Sequence, residues 1–112
     1  SKAPYCVWVG SHESQGFAFQ EAMSCNTPVY VIDVKSLRDE WGPTKWRNFL
    51  PGHDLPATTA SYFSDDCGLI TYVENWKEDF DKFMSNIKNY SPRQFVLDNL
   101  SPIACAEKWR NL

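Results

Sequence analysis

Two carboxylates, Glu13 and Glu21, with Gly16 between them, are the residues of this chain best spaced to do chemistry. Glu13 stands just before a predicted helix and Glu21 within it, so at ~1.5 Å rise per residue they lie ~12 Å apart along the axis. Gly16 falls in the first helical turn, where backbone N–H groups lack intrahelical partners. Without a side chain there, an anion can approach those donors and the positive end of the helix. Each carboxylate can accept two hydroxyls, as carboxylates at sugar sites do. The separation is about the span from ribose to sugar in a nucleotide-diphosphosugar. On spacing alone, a solvated loop residue and a helix-surface charge would be the commoner explanation of such a pair.

The elements that must position this pair form a strand–helix–strand unit. Residues 5–10 (YCVWVG) are a short apolar run ending in Gly, which predicts a strand covered on both faces, as in parallel α/β sheets. Ser14 is a candidate N-cap for a helix over about 15–25, whose apolar residues Phe17, Ala18, Ala22 and Cys25 have helical spacing. That spacing assigns the Phe17 side chain to the core. Asn26 suits a left-handed helix stop, and Pro28 bars continuation. Residues 29–34 (VYVIDV) are β-branched and predict the second strand. A strand, helix and strand joined by tight turns make a right-handed βαβ unit with parallel pairing.

Residues 35–61 carry Pro43, Pro51 and Pro56 with Gly42 and Gly52, and read as a long loop with a short helical turn at 36–41. Asp65-Asp66 reads as a turn before a third strand at 68–73. Asn75 can cap a helix over 76–89, with Trp76, Phe80, Phe83, Met84 and Ile87 as its core or interface stripe. Ser91-Pro92 and Ser101-Pro102 are N-cap-plus-N1 signatures, so the region 91–112 holds two further short helices. The fold class expected is a single α/β domain: a partial Rossmann-like unit with a short parallel sheet flanked by helices.

The stretch SHESQGFAFQEAMSCNTPVYVID resembles the retaining GT-B glycosyltransferases that carry two glutamates separated by seven residues, the group-one, family-four-like transferases. The matching residues are Glu13, Gly16-Phe17, Glu21-Ala22-Met23, Ser24, Asn26 and Pro28-Val29, and the tail SPIACAEKWRNL resembles the family's last helix. Residues 35–66 are the least typical part, although ATTASYFSDDCG looks like a pre-strand segment of some members. The resemblance implies that Glu13, as the candidate catalytic residue, contacts hydroxyls of the donor sugar. It implies that Glu21 holds the ribose diol, and that backbone amides at Gln15, Gly16, Phe17 and Ala18 face the diphosphate or the sugar. His12 beside Glu13 is a further substrate-binding candidate, although a single His without a placed partner is more often structural or exposed.

By the same resemblance, a glycosyl group passes from a nucleotide donor to an acceptor hydroxyl with retention, in the hexosyl- or pentosyltransferase class. No metal or other cofactor is implied, because basic side chains and helix dipoles stabilise the leaving diphosphate. The family's upstream Arg and Lys for that diphosphate, and its amino-terminal acceptor domain, have no counterpart in this sequence. Together with the opening Ser1-Lys2-Ala3, this leads us to expect a carboxy-terminal donor-binding piece of a longer enzyme, inactive alone. The missing amino-terminal domain is its expected partner, and exposed aromatics are expected to favour homo-oligomers.

Composition narrows the alternatives. A net charge of −3 with no long basic run argues against nucleic acid. No apolar stretch reaches the length of a membrane span. Cys6, Cys25, Cys67 and Cys105 form no C-x-x-C pair and are expected to be reduced, mostly buried thiols of a cytoplasmic protein, with the membrane surface open to the full-length enzyme. His53 has no metal partner in sight. A hydrolase using Cys25 or Ser14 with His12 lacks the required strand-to-helix elbow. The remaining alternative is a non-catalytic α/β nucleotide-binding or scaffold module, favoured if calorimetry finds no nucleotide-diphosphate binding.

Overall fold

The computed structural model describes residues 3–10, 17–35 and 56–111. Three strands, β1 (Cys6–Val9), β2 (Val29–Asp33) and β3 (Gly68–Tyr72), form one sheet in the order β1-β2-β3. Both pairings are parallel, with Cys6 opposite Val29 and Val29 opposite Gly68. The helices are α1 (Phe17–Ser24), α2 (Trp76–Ser85), α3 (Pro92–Asn99) and α4 (Pro102–Arg110). The chain is therefore the α/β unit expected, a short parallel sheet flanked by helices.

The sheet's two faces carry different cores. On one face Val29 and Val31 of β2 meet Phe19 and Met23 of α1, with Ala60 and Cys67 completing the buried cluster. Cys6, Trp8, Phe63, Ile70 and, from α3, Phe95 and Val96 pack around it. On the other face Tyr30 lies buried against Phe80 and the fully buried Phe83 of α2, and both rings also meet Tyr5. The Tyr30 hydroxyl donates to the Trp76 carbonyl, and Thr71 Oγ1 donates to Asp79 Oδ2 at 2.7 Å, so the start of α2 is tied to β2 and β3. Gly68 is required where β3 begins: a Cβ there would lie 1.9 Å from the Val29 carbonyl oxygen.

The helix ends follow local chemistry. Asn26 sits at φ 60°, in the left-handed region. Its N–H donates to the Met23 carbonyl at 2.9 Å and the Thr27 N–H to the Ala22 carbonyl at 3.0 Å, the pair of bonds that closes a helix through a left-handed residue. Ser101 caps α4 by accepting from the Ala104 N–H at 3.2 Å, with Pro102 in the first turn. Asn75 and Ser91 occupy the predicted cap positions without a side-chain capping bond. The Asp65-Asp66 turn is present, closed by the Cys67 N–H donating to the Ser64 carbonyl at 3.0 Å.

Four expectations are corrected. β1 is covered on one face only: Trp8 and Cys6 pack inward, whereas Val7 and Val9 are exposed because α2 lies over β2 and β3. The Phe17 side chain is 70% exposed, and the helix instead buries Phe19 and Met23. Cys67 is buried and Cys6 partly so, but Cys25 and Cys105 are exposed; all four thiols are free. α2 stops at Ser85, followed by a 3-10 turn at Ile87–Asn89, and of its apolar stripe Trp76 and Met84 are exposed. The predicted helical turn at 36–41 and the Ser14 cap lie outside the described residues. Of the predicted long loop, 56–61 is irregular, as expected.

Candidate functional site

In an open parallel α/β sheet, ligands bind in the crevice outside the carboxyl ends of the strands. Gly10, Asp33 and the turn after Tyr72 mark that edge here. Because α1 connects β1 to a parallel β2, its first turn lies on the same edge. Of the predicted site residues, Phe17, Ala18 and Glu21 are described, and all three are exposed. Positions 17 and 21 stand one turn apart and 18 lies three residues before 21, so they share one face of α1, opposite Phe19 and Met23. His12, Glu13, Gln15 and Gly16 lie outside the described residues, as does His53.

The densest polar network on this edge centres on Asp33, the last residue of β2. The residue is 6% exposed, and its carboxylate accepts three hydrogen bonds. Oδ1 accepts the Val34 N–H at 2.7 Å and the Thr59 N–H at 2.7 Å, and Oδ2 accepts the Thr58 hydroxyl. Thr59, fully buried, in turn receives the Trp8 indole N–H on both its carbonyl (3.0 Å) and its Oγ1 (2.9 Å). The Trp8 ring stands edge-on to Phe19 of α1 at 5.3 Å between centroids. Gly10 completes the set: a Cβ there would lie 2.2 Å from Thr59 Oγ1, so a side chain at this position would displace that hydroxyl. The end of β2, the returning segment 58–60, the end of β1 and the first turns of α1 are thus joined by named contacts.

Sequence reasoning missed this network. The signal available was an acid closing an otherwise apolar, β-branched strand (VYVID), where a buried carboxylate demands several donors, and a Thr-Thr pair able to supply them.

After β3, an open depression of about 340 Å³ is lined by Val73, Glu74, Asn75, Trp76, Lys77 and Glu78. Its lining is six consecutive exposed residues, and Lys77 Nζ lies 5.5 Å from the Trp76 ring centroid. Lys35, following β2, holds its ammonium 4.8 Å from the Tyr72 ring centroid. Among the described residues, no cluster of His, Cys, Asp or Glu could hold a metal ion. None of their buried side-chain polar atoms lacks a partner, and none of the helices they form is long and apolar enough to cross a membrane. Burial pushes the Cys6 and Cys67 thiols above their ordinary pKa, which makes them poor nucleophiles.

No protein-family model, curated protein or solved structure matches this chain.

Proposed function

We propose that this chain is the donor-binding part of a retaining glycosyltransferase of the GT-B type, taking a nucleotide-diphosphosugar at the carboxyl edge of its parallel sheet. The observation that carries the reading is the run from Glu13 to Val29, with its two glutamates, intervening glycine and helix stop, together with an exposed Phe17–Ala18–Glu21 face on α1. A helix beginning at that edge offers free N–H donors to a diphosphate. Glu21, one turn further on, offers a carboxylate to a vicinal diol, an arrangement in which both hydroxyls donate to charged oxygens. Glu13 is assigned to the sugar hydroxyls, Gln15 and Gly16 to the diphosphate, and His12 to the donor's outer contacts. Transfer to an acceptor hydroxyl, retention at the anomeric carbon and completion of the site by a second domain belong to the same proposal.

Titration with UDP-glucose and GDP-mannose, followed by amide shifts at Phe17 and Ala18, tests it. A hydrogen bond to a charged group is worth about 1.5–3 kcal/mol, so Glu21→Ala is expected to weaken nucleotide binding by about tenfold or more. Glu13→Ala is expected to change sugar discrimination with less effect on the nucleotide. Equal affinities for the parent chain and both variants, or no binding of either probe, would overturn the assignment.

A further inference from the structure

We propose that this chain pairs with a second copy of itself, each copy laying its α4 on the uncovered face of the other's β1; the inference is independent of the function proposed above. α4 is a helix with an apolar side that nothing covers. Ile103, Ala106 and Trp109 follow one another at i+3, and Pro102 stands one turn before Ala106, so the four share one side of the helix. All four are exposed, Ile103 by 74% and Trp109 by 76%. The opposite side carries Lys108, whose Nζ donates to the carbonyl of Asn99 at the end of α3, the element on which α4 packs. No residue of α4 is buried. A helix of nine residues gains too little from its own hydrogen bonds to persist without tertiary contacts, so an open apolar side is a cost that a partner would remove.

β1 has the converse defect, a sheet face without its helix. Val7 stands beside Tyr30 in the register, and Tyr30 packs under Phe80 and Phe83, so Val7 and Val9 belong to the face that α2 covers. α2 lies over β2 and β3, however, and leaves both valines exposed, whereas parallel sheets are ordinarily covered on both faces. The two apolar rows match in length. Val7 and Val9 are ~7 Å apart along the strand, and Ile103 and Trp109 are ~9 Å apart along the helix, with the small Ala106 between them to permit close approach. Charge agrees as well. A helix docked on β1 would lie beside α2, which carries Glu78, Asp79 and Asp81 against Lys77 and Lys82, whereas α4 carries Lys108 and Arg110 against Glu107.

Area selects a second copy and this mode of pairing. Covering the Trp109 ring removes ~150 Å² from water, and Ile103, Val7 and Val9 add ~60–80 Å² each. Two-fold symmetry repeats the contact, giving ~700 Å² from these side chains and ~1,000 Å² with Pro102, Ala106 and the main chain, the size at which specific interfaces begin. α4 packed on the partner's α4 would bury only ~450 Å², the scale of an incidental contact. One chain thus supplies both the uncovered helix and the uncovered strand, and a reciprocal pair covers all four surfaces.

Sedimentation equilibrium of the full chain, from micromolar to submillimolar concentration, tests the proposal on three samples. The parent chain is expected to form a dimer. Trp109→Ala removes the largest side chain of the helix row. The double variant Val7→Thr, Val9→Thr keeps β-branched residues of nearly the same volume on the strand and makes its face polar. Each variant is expected to weaken dimerisation by about a hundredfold or more, because every substitution is felt at both contacts. The circular dichroism of the monomer should stay unchanged, since all the altered side chains are exposed. With Cys25 and Cys105 replaced by Ser, an equimolar mixture of Val9→Cys and Ala106→Cys chains is expected to form disulfide-linked dimers on oxidation that neither chain forms alone.

A parent chain that is monomeric throughout the range would overturn the proposal and leave these faces to a different chain or domain. A dimer weakened by Trp109→Ala but untouched by the valine changes would overturn the helix-on-strand contact in favour of α4 against α4. A dimer indifferent to both variants, or a mixture that fails to cross-link, would overturn it as well.

Discussion

Exchanging Phe19 for Ala should cost this fold far more than removing Phe17, although the two residues are two positions apart on the same short helix. Phe19 is fully buried, edge-on to Trp8 at 5.3 Å and to Phe63 at 6.3 Å, and it heads the cluster against Val29 and Val31. Truncating a buried Phe to Ala costs about 3–5 kcal/mol, from lost transfer energy, the cavity left behind and the aromatic pairs forfeited. Phe17 keeps 70% of its surface in water. With about 2–3 kcal/mol for complete burial of a Phe side chain, the remaining third is worth about 0.7 kcal/mol.

A chain of this size is stable by about 6–15 kcal/mol, so Phe19→Ala should remove a large share of its stability, whereas Phe17→Ser should fall within the usual range of surface changes. Urea unfolding followed by far-ultraviolet circular dichroism measures both. The midpoint should drop steeply for the first variant and by little for the second, at constant slope, and the thermal midpoint of the first should fall by about 10 °C or more. Equal losses for the two variants would mean that α1 is rotated on the sheet. The exposed Phe17–Ala18–Glu21 face would then have to be reassigned.

Two further outcomes can be measured on the same chain. A maleimide titration of the native protein should label Cys25 and Cys105 at once, Cys6 slowly and Cys67 only on unfolding, because two thiols are exposed and burial raises the pKa of the other two; rapid labelling of Cys67 would contradict the core described here. Stability should also fall at alkaline pH. Burial raises the Tyr30 phenol above its ordinary 10.0, with Asp79 and Asp81 adding to the shift, and burial with Asp65 does the same for Tyr90. A phenol that keeps its proton longer in the folded chain contributes fully below about pH 10, and that contribution is lost as pH rises through its folded value. Tyr30→Phe should lower stability at neutral pH, through the lost bond to the Trp76 carbonyl, and make the alkaline decline shallower. An unchanged slope would refute the assignment.

The strands and helix stops were legible because each is written in local chemistry. β-branched runs gave β2 and β3, Asn26 before Thr27-Pro28 gave the left-handed stop, and the two Ser-Pro pairs gave the starts of α3 and α4. The rotation of α1 was not legible. Its sequence FAFQEAMS places apolar groups on nearly every side, so periodicity admits one stripe through Ala18 and Ala22 and another through Phe19 and Met23, and only contact with Val29 and Val31 chooses between them. Coverage of β1 was likewise hidden, since YCVWV reads as doubly buried whether or not a helix reaches over it. The Asp33 network joins residues 8, 33 and 59, and no local pattern announces a bond across 51 positions of chain. Of the candidate site, the sequence named Glu21 and the residues of the first turn of α1, but not the buried acid that organises the edge beside them.

Arg93 has a consequence for the order in which this molecule can assemble. Its guanidinium donates to the Ser24 carbonyl, and its N–H to Asn26 Oδ1, so the last turn of the first helix is stitched to a segment 67 and 69 positions later. Phe95 and Val96 arrive with it to cover the same apolar cluster. On a ribosome, the early strands therefore wait, with one layer of their interior uncovered, until residues 93–96 have emerged. Parallel pairing across such separations is slow to close. The nascent chain carries unpaired strand edges through that interval, and the carboxy-terminal helices end it.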